Sequence, residues 1–178
     1  MKAAEQIKAV SFVAKSGTGK TTLLEKLIIE LRSRGYRVGA FKAVSHQFDI
    51  DQPGKDSYRM AAAGAEATLI CAATKLAFVQ THSEPPDFNQ LLSDYFQDVD
   101  IVLVEGHKRG NLPKIEVVRQ KPHEPLLCCS NGYDPSYIAV ASDCQLNLDI
   151  PLLDLNNPAI IADFLIDFFQ IWSLSRRS

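Results

Sequence analysis

The segment Ala14-Lys15-Ser16-Gly17-Thr18-Gly19-Lys20-Thr21-Thr22 constrains this chain more than any other. It follows an almost continuous apolar run, Ile7 to Ala14, that reads as a buried strand. It precedes Leu23, Leu24, Leu27, Ile28 and Leu31, which share one face at helical spacing. Strand, glycine loop and helix in that order are the setting of G-x-x-x-x-G-K-[ST], a loop that cradles phosphates. Gly19, Lys20 and Thr21 match that pattern, while Ala14 stands where the first glycine is usual. That departure matters only if residue 14 needs a positive φ. Gly17 and Gly19 let the backbone turn its N–H groups inward as an anion nest, and the helix start adds its positive end. Lys20 is placed to meet the β- and γ-phosphates, and the Thr21 hydroxyl to ligate Mg²⁺. Ser16, Gly17, Thr18, Gly19, Lys20, Thr21 and Thr22 are therefore the candidate nucleotide-binding residues.

A phosphate loop needs an acidic group at a neighbouring strand end to hold the metal or its water shell. Asp100-Ile101-Val102-Leu103-Val104-Glu105-Gly106 supplies Glu105 where a buried strand emerges. Aspartate is commoner there. The longer glutamate reaches a metal through water or acts on an attacking water; a carboxylate that merely caps the sheet end is the alternative. Asp100, at the strand's start, is expected on the opposite edge and solvated. The run His46 to Ser57 is dense in groups that bind metal or phosphate, with Asp49 or Asp51 placed to meet Mg²⁺, Lys55 an anion, and His46 acting as donor or base. A solvated turn ahead of a capped helix fits the same residues. Lys20, Glu105 and Asp49 are thus the candidate catalytic groups, and Thr21 with Glu105 the candidate metal ligands. Lys108, Arg109 and Lys114 suit either a phosphorylated second ligand or a solvated basic loop. The guanine signature [NT]KxD is absent, since Thr74-Lys75-Leu76-Ala77 lacks the acid. Asp143, after a late strand, stands where a base-reading aspartate belongs, and equally where a structural turn would place one.

The remaining pattern alternates strands with helices. Val38 to Phe41, Ile101 to Val104, Ile115 to Val118 and Tyr137 to Ala141 read as strands, with less well bounded ones at 67–72 and 76–80. Lys55 to Ala63, Asp87 to Phe96 and a C-terminal amphipathic run (Ile160, Ile161, Phe164, Leu165, Phe168, Phe169) read as helices, the last capped by Asn156 or Asn157 ahead of Pro158. Strands buried on both faces predict an α/β fold: a mainly parallel sheet with flanking helices, of P-loop NTPase type. The 178 residues fit a single nucleotide-binding domain over 1–178. A net charge of −2 argues against a nucleic-acid-gripping basic face. No apolar run approaches the roughly 20 residues needed to span a bilayer, and the first residues lack the apolar core of a secretory leader. Cys71, Cys128, Cys129 and Cys144 form no C-x-x-C pair, so incidental thiols in a cytoplasmic protein are expected.

Together "SGTGKTTLLEKLI", "RGYRVGAFK", "HQFDIDQPGKDSYR", "DIVLVEGHKR", "PKIEVVR" and "IAVASD" resemble the MobB family of molybdopterin-guanine dinucleotide biosynthesis adaptors over most of the chain. The "DIDQPGKDS" block and the "VLVEG" strand are far more specific than the glycine loop. The resemblance implies a GTP- and Mg²⁺-binding homodimer with weak GTPase activity. Such a protein assists a MobA-like nucleotidyltransferase that joins GMP to molybdopterin, with molybdopterin a candidate second ligand. It also implies that Ser16 to Thr22 form the phosphate site, Thr21 and Glu105 the metal site, and His46 to Ser57 a characteristic loop. The family often carries histidines where this chain has Ala43 and Ser45, and "EGFK" where it has "EGHKR". The competing functions are a P-loop small-molecule kinase and a nucleotide-switched module that delivers cofactor or metal.

Overall fold

The computed structural model describes residues 7–15, 17–45, 48–120, 125–130, 132 and 134–171. Two compact units emerge, Met1–Ala43 with Ser93–Ser178, and Val44–Leu92.

The larger unit is built on a six-stranded sheet in the order β2-β5-β1-β6-β7-β8. Its strands are β1 (Ala9–Val13), β2 (Val38–Lys42), β5 (Ile101–Glu105), β6 (Lys114–Val118), β7 (Tyr137–Ser142) and β8 (Leu152–Asp154). Every pairing is parallel. The central strands β1 and β6 are buried along their whole length, and Ile101 to Val104 of β5 are too. The near-continuous apolar runs in the sequence have this cause: a parallel strand covered on both faces needs apolar groups at both phases of the pleat.

The pleat separates two cores. Val10 and Phe12 of β1, Ile115 and Val117 of β6, and Ala139 and Ala141 of β7 pack with Leu24, Leu27 and Leu31 of α1 (Lys20–Ser33) and Ile161 and Leu165 of α4 (Pro158–Phe169). Alternate residues Val13, Val118 and Val140 face the other way, onto Cys128, Tyr137, Leu126, Leu146, Leu148 and Ile150. The second core is thus closed by a 3₁₀ turn at Leu127–Cys129 and by loop residues rather than by a long helix. Alternating sides of a strand explain how one sheet serves both. Helix α4 begins as its sequence implies, with the Asn157 side chain accepting from Ile160 N and Pro158 in the first turn. Arg34 at the end of α1 pairs with Asp163 and Glu30, tying α1 to α4.

The smaller unit holds α2 (Asp56–Ala62) and an antiparallel hairpin of β3 (Ala67–Ala72) and β4 (Lys75–Gln80). Helix α3 (Phe88–Tyr95) spans the division between the units. These short strands differ from the expectation of strands buried on both faces, because β3 and β4 are exposed along most of their length. Leu69, Ile70, Leu76 and Phe78 are all exposed.

Two charged residues stand differently from expectation. The Asp100 side chain is 4% exposed rather than solvated. It accepts from Arg37 N at 2.7 Å and pairs with the Arg37 guanidinium at 3.2 Å, pinning the start of β5 to the start of β2. Lys114 is not in a basic loop but is the buried first residue of β6. Its ammonium donates to Ser136 Oγ, lies 3.8 Å from Asp134 and sits over the Tyr137 ring. A buried ammonium needs such partners, which leaves it unavailable to a second ligand. Burial, with Glu116 and Asp134 nearby, pushes the Tyr137 hydroxyl up to about 12.

Candidate functional site

The glycine loop leaves β1 at the C-terminal end of the sheet, where open α/β sheets bind ligands. Gly17 and Gly19 have φ of 80° and 81°, a region that L side chains rarely adopt. Gly19 is the cap residue just before α1, and it offers the helix no side-chain cap. The first N–H groups of α1 therefore stay directed to whatever sits ahead of the helix. Ala14 is buried and is not among the residues with positive φ, so the missing first glycine costs this loop nothing. Lys20 is half-buried and has no hydrogen-bond or ion-pair partner among the described residues. A lysine without a partner at the head of a helix stands ready for an anion. Thr18 Oγ donates to Lys15 O at 3.3 Å, closing the loop on itself. Ser16 lies outside the described residues.

Glu105 ends β5 beside β1. The Thr21 hydroxyl donates to its carboxylate, 3.1 Å from each oxygen. The two residues expected to share a metal, 84 positions apart, are therefore in contact. Behind them Gly106 has φ +94°, and a Cβ there would stand 3.0 Å from the Ala43 carbonyl. Only glycine fits that turn, which fixes the direction in which Glu105 leaves the strand. A hydroxyl and a carboxylate are hard oxygen donors that suit Mg²⁺, which typically takes one or two carboxylates and completes its shell with waters and phosphates. Among the described residues no group of three or more His, Cys, Asp or Glu could hold a metal ion. This donor set therefore fits a metal that arrives with a phosphate ligand better than one caged by protein alone. A recess of about 160 Å³ adjoins the pair, floored by Leu24, Ile28 and Leu103 and edged by Thr21, Glu25, Phe41, Lys42 and Glu105. It is smaller than the roughly 300–1,000 Å³ of small-molecule pockets.

Thr22 is exposed in the first turn of α1. Asp49 is exposed and belongs to the Val44–Leu92 unit, and Asp51 accepts from Gln52 N in a local turn. Lys55 precedes α2 as its cap residue. His46 and Trp172 lie outside the described residues. Lys108 and Arg109 are exposed in the loop after β5. His107 in that loop has φ 59°, and its imidazole lies against Gly110, where no Cβ fits. Burial, then the Lys114 charge, lowers its pKa. Asp143 accepts from Gln120 N at 2.7 Å and faces Arg119 at 3.6 Å.

Arg119 carries no signal in the sequence. It follows the last residue of β6, and its Nε donates to Thr18 O at 3.4 Å. Its guanidinium lies 3.7 Å from where a Cβ on Gly19 would stand. A lone arginine after an apolar strand has no motif around it. Only the β1–β6 pairing brings it to the loop.

A sequence model of the family described as "MobB: Molybdopterin guanine dinucleotide synthesis protein B" matches residues 9–143. The chain belongs to the MobB family. It is 40% identical over 174 residues to the molybdopterin-guanine dinucleotide biosynthesis adapter protein of Escherichia coli K12, covering 92% of this chain and 94% of that one. It is 38% identical over 161 residues to the adapter protein of Haemophilus influenzae, covering 90% and 88%. A crystal structure of molybdopterin-guanine biosynthesis protein B (mobB) superposes with a TM-score of 0.73 at 29% identity, over 91% of this chain and 99% of that one. The mostly parallel sheet with flanking helices is thus the fold of the MobB structures. Among the described residues, no helix is long and apolar enough to cross a membrane.

Proposed function

We propose that this chain is a GTP-binding adapter with slow GTPase activity that assists attachment of GMP to molybdopterin. The observation that carries the nucleotide part is the assembled loop: positive-φ glycines, Lys20 at a helix start with no partner among the described residues, and Thr21 in contact with Glu105. The loop N–H groups and Lys20 bind the triphosphate, and Thr21 with Glu105 hold Mg²⁺ directly or through water. Bound there, Mg²⁺ supplies charge neutralisation on the phosphate oxygens. Fast phosphoryl transfer also needs a group that stabilises the transferring phosphate. Arg119 points to Thr18 and Asp143 instead. Slow turnover alone and help from a partner protein fit that arrangement. The adapter part rests on the relatives, whose names state the role.

The partner in this reading is a MobA-like nucleotidyltransferase, and the working form is a homodimer. Exposed Leu69, Leu76 and Phe78 on the hairpin support an interaction surface, because a contiguous exposed apolar patch marks a contact site. The recess beside Glu105 suits part of a second ligand such as molybdopterin rather than the whole heterocycle.

Formation of molybdopterin-guanine dinucleotide by the purified nucleotidyltransferase, followed with and without this chain, tests the reading. The yield or rate is expected to rise only when the chain and GTP are both present. An unchanged time course at stoichiometric chain would overturn the adapter role.

A further inference from the structure

Two strand ends and the glycine loop meet around one guanidinium. β6 ends at Val118, and the chain turns through Arg119 and Gln120. Gln120 has φ 62°, a conformation that a residue with a side chain rarely adopts. It is held there by its N–H, which donates to Asp143 Oδ1 at 2.7 Å just beyond β7. Arg119 then reaches in two directions. Nη1 stands 3.6 Å from Asp143 Oδ2, and Nε donates to the Thr18 carbonyl in the glycine loop. The arginine fork is planar and presents five N–H donors in a fixed geometry, so it spans two acceptors in a way a single ammonium does not.

The Thr18 carbonyl and the Gly19 N–H belong to one peptide unit. That unit is planar and trans, so the two groups point in opposite directions. A donor that holds the carbonyl on one side therefore aims the Gly19 N–H to the other. Gly19 has no side chain to fix this peptide, and its φ of 81° lies in a region where glycine also has the freedom to leave. The Arg119 contact restrains that peptide from outside the loop, beside the Thr18 Oγ–Lys15 O bond within it.

Resting on the phosphate-binding reading above, we infer that Arg119 is a positioning residue for the phosphate loop, with Asp143 as its anchor. Arg119 touches no phosphate in this scheme. It orders the Thr18–Gly19 peptide so that the loop N–H groups converge before the ligand arrives. Asp143 acts through Arg119 and through the Gln120 turn, not by reading a base.

Inorganic tripolyphosphate with Mg²⁺, which has no base, separates these roles. Calorimetric titration of the wild-type chain, Arg119→Ala, Arg119→Lys, Asp143→Ala and the double variant Arg119→Ala/Asp143→Ala is the experiment. Arg119→Ala is expected to weaken tripolyphosphate about tenfold. Asp143→Ala should weaken it by a factor of roughly three to ten, and the double variant no further than Arg119→Ala alone, because the two residues act as one unit. Arg119→Lys should stay weak. Full recovery in Arg119→Lys would mean a plain cation facing phosphate and would overturn the inference. So would wild-type affinity in Asp143→Ala, which would return that residue to the base or to the turn. So would a loss of affinity that only tracks a loss of cooperative unfolding in thermal melts. A wild-type chain that binds neither tripolyphosphate nor GTP would overturn the phosphate-binding reading and this inference with it. GTP binding by wild type that survives unchanged in Arg119→Ala would overturn this inference alone.

Discussion

Lys20→Ala is expected to weaken GTP binding by roughly a hundredfold, enough to abolish it at working concentrations. A hydrogen bond to a charged group contributes about 1.5–3 kcal/mol, and each 1.4 kcal/mol is tenfold in affinity. Lys20 would make more than one such contact with a triphosphate. The fold should not notice the change, since Lys20 has no partner among the described residues and its side chain is half exposed. Isothermal titration and a thermal melt on the same sample make the comparison. Lost binding with an unchanged melting temperature is the expected pair of results. GTP binding within a few-fold of wild type would remove Lys20 from the site.

Glu116→Ala should have the largest effect on stability, a loss of about 2–4 kcal/mol. Glu116 is 2% exposed in the middle of β6. Its carboxyl oxygens accept from Leu127 N at 2.8 Å and from Cys128 N at 2.9 Å. Alanine leaves both N–H groups without this acceptor, at about 1–3 kcal/mol for the buried Cys128 N–H and less for the part-buried Leu127 N–H, and frees the 3₁₀ turn that closes the second core. The same burial, together with Cys129 and Glu116 beside it, pushes the Cys128 thiol up. For a chain of this size the loss corresponds to a fall in melting temperature of roughly 5–15 °C. Glu116→Gln keeps one acceptor oxygen and should lose about half as much. Urea denaturation with an unchanged m-value is the measurement. A midpoint equal to wild type would mean that the turn is held by its apolar contacts alone.

Both residues bear on what a sequence exposes to reading. The place of Lys20 is legible because it is local: the glycines, the lysine and the helix that follow one another are also neighbours in space. Glu105 is legible for a related reason, since the end of a buried run marks where a parallel strand reaches the ligand edge of the sheet. Glu116, Lys114 and Asp100 are not legible in this way. Each is a charge inside or beside a strand whose partners lie well away in sequence: Leu127 and Cys128, Ser136 and Asp134, and Arg37. Periodicity cannot report a partner supplied by another turn. Arg119 is hidden for the same reason, because its acceptor Thr18 is 101 residues away. β8 is missed because three residues that follow a proline and end in an aspartate give no repeat to count. The β3–β4 hairpin is read as strands, but its exposure is not foreseen. Its apolar residues look the same in sequence whether a neighbouring element covers them or none does.

The glycine loop is proposed to bind a guanine nucleotide. Calorimetric titration of the purified chain with GTP and with ATP, each with Mg²⁺, tests it most directly. Saturable binding of GTP is expected, with ATP at least about tenfold weaker. Binding of ATP in preference to GTP, or of neither, would contradict it.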